Sequence, residues 1–396
     1  MPSTLPKPSG PYNVSFTDIV TDFGKERSLF RLFYPTASTA ESTTPWISDP
    51  DYVEKLVERA NTPCFSWLIR RLFSGRFLPA SLNADLHLPS DSSRYPIIIF
   101  SHGLGLGRMA YCNVCMDIAS HGAVVASVEH SDQSACATYY FEKTSENLEV
   151  PQKKWIEFLS VKDKDPNEHE VRNRQVHIRA DECSKVLDHL QELNDGALQN
   201  INCGVDLTQF KDTLDLDRCA IVGHSFGGGT AVAAVAKDKR YKVAVAFDPW
   251  MYPLDNNLYR NVPSIPLLLV NAEYDQWPAN VVGMRKLDVD TLNVSAERKT
   301  VTLKGAVHMT QTDILMFIGW NWLTKRLHMF GDRDPADLSK LSNRLMTAFI
   351  GLHLEMACGQ ELEELTEKEN GVFWFGSNLK VDEAEVERCK EEIRSF

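Results

Sequence analysis

Residues 219–236 read Cys-Ala-Ile-Val-Gly-His-Ser-Phe-Gly-Gly-Gly-Thr-Ala-Val-Ala-Ala-Val-Ala. An apolar run of strand composition breaks into G-x-S-x-G, and small residues with the composition of a helix follow. Few folds can satisfy such a segment. A serine at the apex of a sharp strand-to-helix turn takes a strained backbone. Gly223 and Gly227 leave room for a close backbone approach that side chains would block. The helix N-terminus behind Ser225 favours a developing negative charge. Strand before, helix after and further glycines make Ser225 a nucleophile rather than part of a glycine-rich turn without chemistry.

The rest of the chain has the pattern that such a turn needs. Short β-branched runs at 97–100, 124–128, 219–222, 243–247, 267–270 and 299–303 alternate with helical patterns, the signature of a mostly parallel sheet covered on both faces. Between the second and third runs, residues 171–193 place Val176, Ala180, Cys183, Leu187 and Leu190 at helical spacing. These features predict an α/β chain of the α/β-hydrolase fold, one domain over 1–396. Two antiparallel strands are expected near 13–17 and 30–34. The first ten residues are expected to be flexible, and the Glu- and Lys-rich stretch from about Gly359 to be a charged, partly helical tail.

Composition bounds the partners. A net charge of −12 argues against a general affinity for nucleic acid. The nine cysteines are scattered and odd in number, which suits buried free thiols in a reducing compartment. Cys112 and Cys115 share a C-x-x-C spacing with no second pair nearby, so no metal is expected, and no cofactor. The first residues lack the apolar core of a secretory signal, position 2 is Pro2 rather than the glycine that myristoylation needs, and no apolar run spans a bilayer. The expected location is the cytoplasm, with peripheral membrane contact as an option.

A serine hydroxyl needs a base, and the base an orienting acid. In this fold the order along the chain is Ser, acid, His. His308 follows the run 299–303 on a loop, where ligand chemistry collects in a parallel sheet, whereas His328 and His353 lie in helical patterns. His308 is therefore the expected base. Asp248 ends one strand and Asp275 follows the next; spacing alone leaves the acid open between them. The expected oxyanion donors are the N–H groups of Phe226, next to the nucleophile, and Leu104, in the glycine-flanked loop after 97–100. His102 and His130 come too early in the chain for the base and are read as structural.

Beyond the elbow, several segments resemble one family. The runs Phe100-Ser-His-Gly-Leu-Gly, Val128-Glu-His-Ser-Asp-Gln-Ser, Gly223-His-Ser-Phe-Gly-Gly, Arg172-Asn-Arg-Gln-Val, Phe247-Asp-Pro-Trp-Met-Tyr-Pro and Gly305-Ala-Val-His resemble the platelet-activating-factor acetylhydrolases of the plasma and intracellular type II branch, also called group VII phospholipase A2. The resemblance covers roughly residues 11–355. It implies a calcium-independent esterase that removes an acetyl, or another short or oxidised acyl group, from the sn-2 position of a phospholipid. It carries the nucleophile onto Ser225, the acid onto Asp248, the base onto His308 and the oxyanion donors onto Leu104 and Phe226, with Asp275 kept as second choice for the acid.

An enzyme of phospholipids must reach an interface. Residues 65–73 place Phe65, Leu68, Ile69 and Leu72 on one helical face ending at Phe73, flanked by Trp67, Arg70 and Arg71. Residues 313–327, from Asp313 to Leu327, are apolar almost all round, with Trp320, Trp322, Lys325 and Arg326 near the end. Both are expected as helices that touch lipid, since similar helices carry the lipid surface in the resembled family.

Overall fold

A computed structural model describes residues 3–39, 44–60, 66–89, 93–142, 152–162, 165–201, 204–288, 294–319, 329–363, 365 and 371–395. Among these, ten strands join in one sheet. In chain order they are β1 (Asn13–Val20), β2 (Leu29–Thr36), β3 (Ser81–Leu82), β4 (Tyr95–Ser101), β5 (Val124–Val128), β6 (Leu214–His224), β7 (Val243–Phe247), β8 (Leu267–Ala272), β9 (Arg298–Leu303) and β10 (Phe373–Phe375). The order across the sheet is β10-β9-β8-β7-β6-β4-β5-β2-β1-β3. From β9 through to β5 the neighbours run parallel. At the flanks β10 lies antiparallel to β9, and β2 antiparallel to both β5 and β1. Each of the six runs expected as a central strand falls within one of β4 to β9.

The helices are α1 (Pro50–Ala60), α2 (Ser66–Phe73), α3 (Cys112–Ser120), α4 (Glu168–Asn194), α5 (Phe226–Lys237), α6 (Asn256–Asn261), α7 (Pro278–Arg285), α8 (Asp313–Ile318), α9 (Pro335–His353) and α10 (Glu383–Arg394). β4, β5, β7 and β8 and the last six residues of β6 are buried along their whole length because both faces of the sheet are covered there. Ile98, Phe100, Ala220 and Val222 join a core with α3 and α9. Ile97, Ile99, Cys219 and Ile221 point the other way, into a core with α4 and α5. No helix among the described residues is long and apolar enough to cross a membrane.

Helix α5 descends directly onto the sheet. A Cβ on Gly223 would lie 2.0 Å from the Gly227 carbonyl oxygen, and one on Gly227 would lie 2.0 Å from that of Ser101 in β4. Backbone therefore touches backbone where β6 meets α5. At the other side of the site, a buried charge network ties β1 and β2 to the loop after β4. Arg31 Nη2 lies 2.9 Å from Asp18 Oδ2, Arg108 Nε 3.2 Å from Asp18 Oδ1, and Arg108 Nη1 2.8 Å from Glu129 Oε2. Burial alone would raise the Asp18 carboxyl, but Arg108 and Arg31 hold it well below the usual carboxylate range.

Three expectations differ from the structure. The N-terminal stretch is tied down: Leu5 is buried and donates its N–H to the Phe77 carbonyl at 3.2 Å. The stretch from about Gly359 supplies the edge strand β10 and the helix α10, which buries Val386 and Ile393 while packing on α6 and α7. Its average composition is polar, yet Phe373 can pair with a sheet edge, and Val386 and Ile393 fall on one helical face. Finally, the helix expected over 313–327 stops at Ile318, where Gly319 takes a positive φ of 76°. Leu315, Met316 and Phe317 are buried, and Asp313 accepts the N–H groups of Cys112 at 2.7 Å and Asn113 at 3.0 Å at the start of α3. The described first part of this segment, Asp313–Ile318, is thus a core helix, while residues 320–327 lie outside the described residues.

The substitution Gly227→Ala should reduce stability by about 1–3 kcal/mol or more, because neither β4 nor α5 can yield to the added carbon. Urea unfolding of the variant beside wild type measures this as a lower midpoint.

Candidate active site

Strand β6 ends at His224, and the chain turns at Ser225 with φ 56° and ψ −119° before entering α5. Four backbone hydrogen bonds hold this conformation. The Ser225 N–H donates to the Phe247 carbonyl at 2.9 Å, and the Ser225 carbonyl accepts from Gly228 at 2.9 Å, Gly229 at 3.1 Å and Trp250 at 2.9 Å. The bond from Trp250 comes from the segment after β7, so the elbow and the next strand end are locked together.

His308 stands on the loop after β9. Its Nε2 lies 2.9 Å from Ser225 Oγ, and its Nδ1 bonds Asp248 Oδ2. Asp248 directly follows β7 with a positive φ of 40°. Its N–H donates to the Val270 carbonyl at 2.7 Å, and its Oδ1 accepts the Ala272 N–H at 3.1 Å, so β8 orients the carboxylate. Asp275 Oδ2 instead accepts the main-chain N–H of His308 at 2.5 Å. Both acids that spacing left open thus reach His308: Asp248 meets the ring, and Asp275 meets the backbone.

Burial of the His308 ring works against its charged form. The hydrogen bond and charge of Asp248, with the charge of Asp275, outweigh it and raise His308 above its ordinary value. Such an imidazole can take the Ser225 proton and keep it while charge develops on a reacting carbonyl. The two N–H groups expected to meet that charge are those of Phe226 and Leu104. Phe226 opens α5, where a first-turn N–H has no helical acceptor. Leu104 lies between Gly103 and Gly105, whose own N–H groups go to Tyr111 Oη at 3.1 Å and the Ser134 carbonyl at 2.8 Å. Among the described residues no protein acceptor takes the N–H of Leu104 or of Phe226. No group of three or more His, Cys, Asp or Glu side chains among them could hold a metal ion.

Beneath the Leu104 loop, His102 and His130 are buried. His102 Nε2 accepts the His130 N–H at 3.3 Å, while His130 bonds Ser101 Oγ at 2.8 Å and Glu182 Oε2 at 2.7 Å. Burial, then the charge of Arg179, keeps both rings well below the ordinary histidine range. Arg179 escaped the sequence reading. It is fully buried on α4, donates to the His102 carbonyl at 2.8 Å and Asp132 Oδ2 at 3.2 Å, and places its guanidinium 4.4 Å from the Phe226 ring centre. The available signal was its spacing, between Val176 and Cys183 on the apolar face of the helix.

Of the two helices expected at a lipid surface, α2 carries Trp67 at 63% exposure and Arg70 paired with Glu54 at 2.7 Å, while Phe73 stacks on Trp46. Phe65 and the side chain of Leu68 lie outside the described residues, as do Trp320, Trp322, Lys325 and Arg326.

A parallel sheet carrying a serine elbow after a central strand, with an acid and a histidine after later strands, is the α/β-hydrolase architecture. A ferulic acid esterase from Streptomyces cinnamoneus shares the fold, with a TM-score of 0.66 at 18% identity over 94% of this chain and 99% of that one. The family model described as platelet-activating factor acetylhydrolase, isoform II, matches residues 2–369. The platelet-activating factor acetylhydrolase of Canis lupus familiaris is 35% identical over 96% of this chain and 84% of its own length; that of Bos taurus is 34% identical over 95% and 83%. The chain belongs to the platelet-activating factor acetylhydrolase isoform II family and is a serine esterase.

A general base works only when neutral, so with His308 in that role the rate should climb as pH rises through its pKa. Because that value is raised, the acid limb of kcat/KM should lie above the ordinary histidine range. Asp248→Asn removes the ring's hydrogen bond and its main opposing charge. The limb should move to lower pH and the plateau fall about 10⁴-fold. Asp275→Asn, which leaves the ring bond intact, should move the limb less in the same direction. The pH profile of ester hydrolysis for both variants checks this.

Proposed function

We propose that this chain is a calcium-independent esterase that hydrolyses the sn-2 acetyl, or another short or oxidised acyl group, of platelet-activating factor and related phospholipids. The observation that carries the reading is the 2.9 Å contact of His308 Nε2 with Ser225 Oγ, with Asp248 on the far ring nitrogen, in a chain of this family. Ser225 Oγ attacks the ester carbonyl as His308 takes its proton. The oxyanion is held by the N–H groups of Leu104 and Phe226. When the tetrahedral intermediate collapses, His308 gives that proton to the departing glycerol oxygen, and the lysophospholipid leaves. Water, deprotonated by the same imidazole, then releases the acyl group and restores Ser225. Every proton transfer in this cycle passes through His308, and no step calls on a cation.

Helix α2 is the proposed point of contact with lipid, supported by the exposure of Trp67 beside Arg70 and Arg71. The buried free thiols Cys112, Cys115, Cys183, Cys219 and Cys358 support a reducing compartment, the cytoplasm.

The deciding experiment measures hydrolysis of a phosphatidylcholine with an sn-2 acetyl group, in excess chelator, by wild type and Ser225→Ala. Wild type should turn over, and the variant should lose on the order of 10⁶ in kcat. Cleavage of nitrophenyl acetate without any phospholipid turnover would reduce the protein to a general carboxylesterase. Separately, Trp67→Ala should weaken partitioning onto phosphatidylcholine vesicles by about tenfold, the consequence of losing one buried aromatic side chain. Sedimentation with vesicles reads this directly.

A further inference from the structure

Three catalytic parts come from distant stretches of chain: the Leu104 loop, the elbow and the His308 loop. Two side chains outside the triad join them. The Gly103 N–H lies 3.1 Å from Tyr111 Oη, Tyr111 Oη lies 2.8 Å from His224 Nδ1, and His224 Nε2 lies 2.8 Å from the carbonyl oxygen of His308. The direction of every bond follows from one fact. A carbonyl oxygen only accepts, so His224 Nε2 carries the ring proton and donates it. In the neutral ring Nδ1 is then an acceptor, so the Tyr111 hydroxyl donates to it and accepts from Gly103. Tyr111 and His224 are buried. Burial, then the charge of His308, holds His224 well below the ordinary histidine range, so the neutral ring that this chain of bonds requires is the stable one.

We infer that Tyr111 and His224 are positioning residues for the reaction: a one-way chain of hydrogen bonds that sets the oxyanion loop and the catalytic base at a fixed separation across the nucleophile. The inference rests on the reading of Ser225 and His308 as nucleophile and base. Tyr111 immediately precedes α3 and packs its ring 4.9 Å from that of Phe100 in β4, so the hydroxyl is presented from rigid elements. The hydroxyl also fills the space beside the serine. A Cβ on Gly103 would lie 2.9 Å from Tyr111 Oη and 3.3 Å from Ser225 Cβ. Gly103 adjoins Leu104, so a bond that fixes the Gly103 N–H fixes the neighbouring peptide whose N–H faces the oxyanion. At the far end, His224 holds the His308 carbonyl while Asp275 holds the His308 N–H at 2.5 Å. The base is thereby clamped on both sides of its Cα, leaving Asp248 to set the ring.

The test uses nitrophenyl acetate, so that it does not depend on phospholipid recognition, and expresses kcat per serine titrated with a fluorophosphonate, so that only folded sites are counted. Tyr111→Phe removes one oxygen and should lower kcat about ten- to a hundredfold with KM nearly unchanged, the cost of a loosened oxyanion donor. In His224→Gln the amide nitrogen can stand where Nε2 stood and keep the bond to His308; the acid limb of the pH profile should stay in place. In His224→Asn the shorter side chain keeps only the Tyr111 arm. The freed His308 backbone should loosen the ring from Asp248 and move the limb to lower pH. Wild-type kcat and an unmoved limb in all three, with only the unfolding midpoint changed, would make these residues mere packing and overturn the inference. Identical behaviour of His224→Gln and His224→Asn would overturn it too. Ser225→Ala, compared per mole of folded protein because it has no serine to titrate, separates the two readings: activity surviving there defeats the nucleophile assignment, whereas an inactive Ser225→Ala beside an unaffected Tyr111→Phe defeats only the positioning chain.

Discussion

The backbone of Ser225 is held at a positive φ, a conformation that costs a non-glycine residue of order 1–3 kcal/mol, and the site depends on its being held there. The strain persists because the surroundings leave no alternative. The Ser225 carbonyl accepts three N–H groups, one of them from the segment after β7. The absence of side chains at Gly223 and Gly227 lets α5 rest on the carbonyl of Ser101. That contact sets how near the start of α5 comes to the end of β4, and hence how near the Phe226 N–H comes to the Leu104 loop. A helix a methyl group farther out would still bury the same apolar side chains, but it would open the gap between the two N–H groups.

His308 poses a different problem, since it opens only a single 3-10 turn, His308–Gln311, at the edge of the parallel region. Polar contacts fix it on three sides, the ring by Asp248, the N–H by Asp275 and the carbonyl by His224, and its ring packs 4.7 Å from that of His224. Two of these contacts, from Asp248 and Asp275, also set its charge. Desolvation opposes protonation, and the facing carboxylates overcome it, so the ring holds a proton more readily than an ordinary histidine. Geometry and proton affinity come from the same few residues and cannot be tuned apart.

What was legible in the sequence follows how local each feature is. The elbow could be read because strand, serine, glycines and helix are contiguous. The central strands could be read because a sheet covered on both faces writes uninterrupted apolar runs such as Ile97-Ile-Ile-Phe. The acid could not be read from spacing, because β7 and β8 are neighbours in the sheet and each delivers an aspartate to the same histidine. Only side-chain direction separates ring from backbone. Composition misled where it was averaged: the C-terminal stretch is polar overall, yet one buried phenylalanine and a sparse apolar stripe are enough to add a strand and a helix. In the described part of 313–327, helix α8 ends at Ile318 before Gly319, and its residues Leu315, Met316 and Phe317 went into the core. Arg179 was hidden because a cation on an apolar helix face has meaning only once the groups opposite it are known.

The placing of Asp248 and Asp275 also bears on how a triad can change over time. Most catalytic groups cannot move to another position by single substitutions, because the intermediate forms would lack them. Here adjacent strands already present a carboxylate each to one histidine, and both carboxylates favour the same protonation state. A lineage that carries such a pair can transfer the ring contact from one strand to its neighbour by small loop adjustments, without passing through an ancestor that had no acid at all. The second aspartate is in that sense a reserve, held one strand away and already aimed at the same histidine.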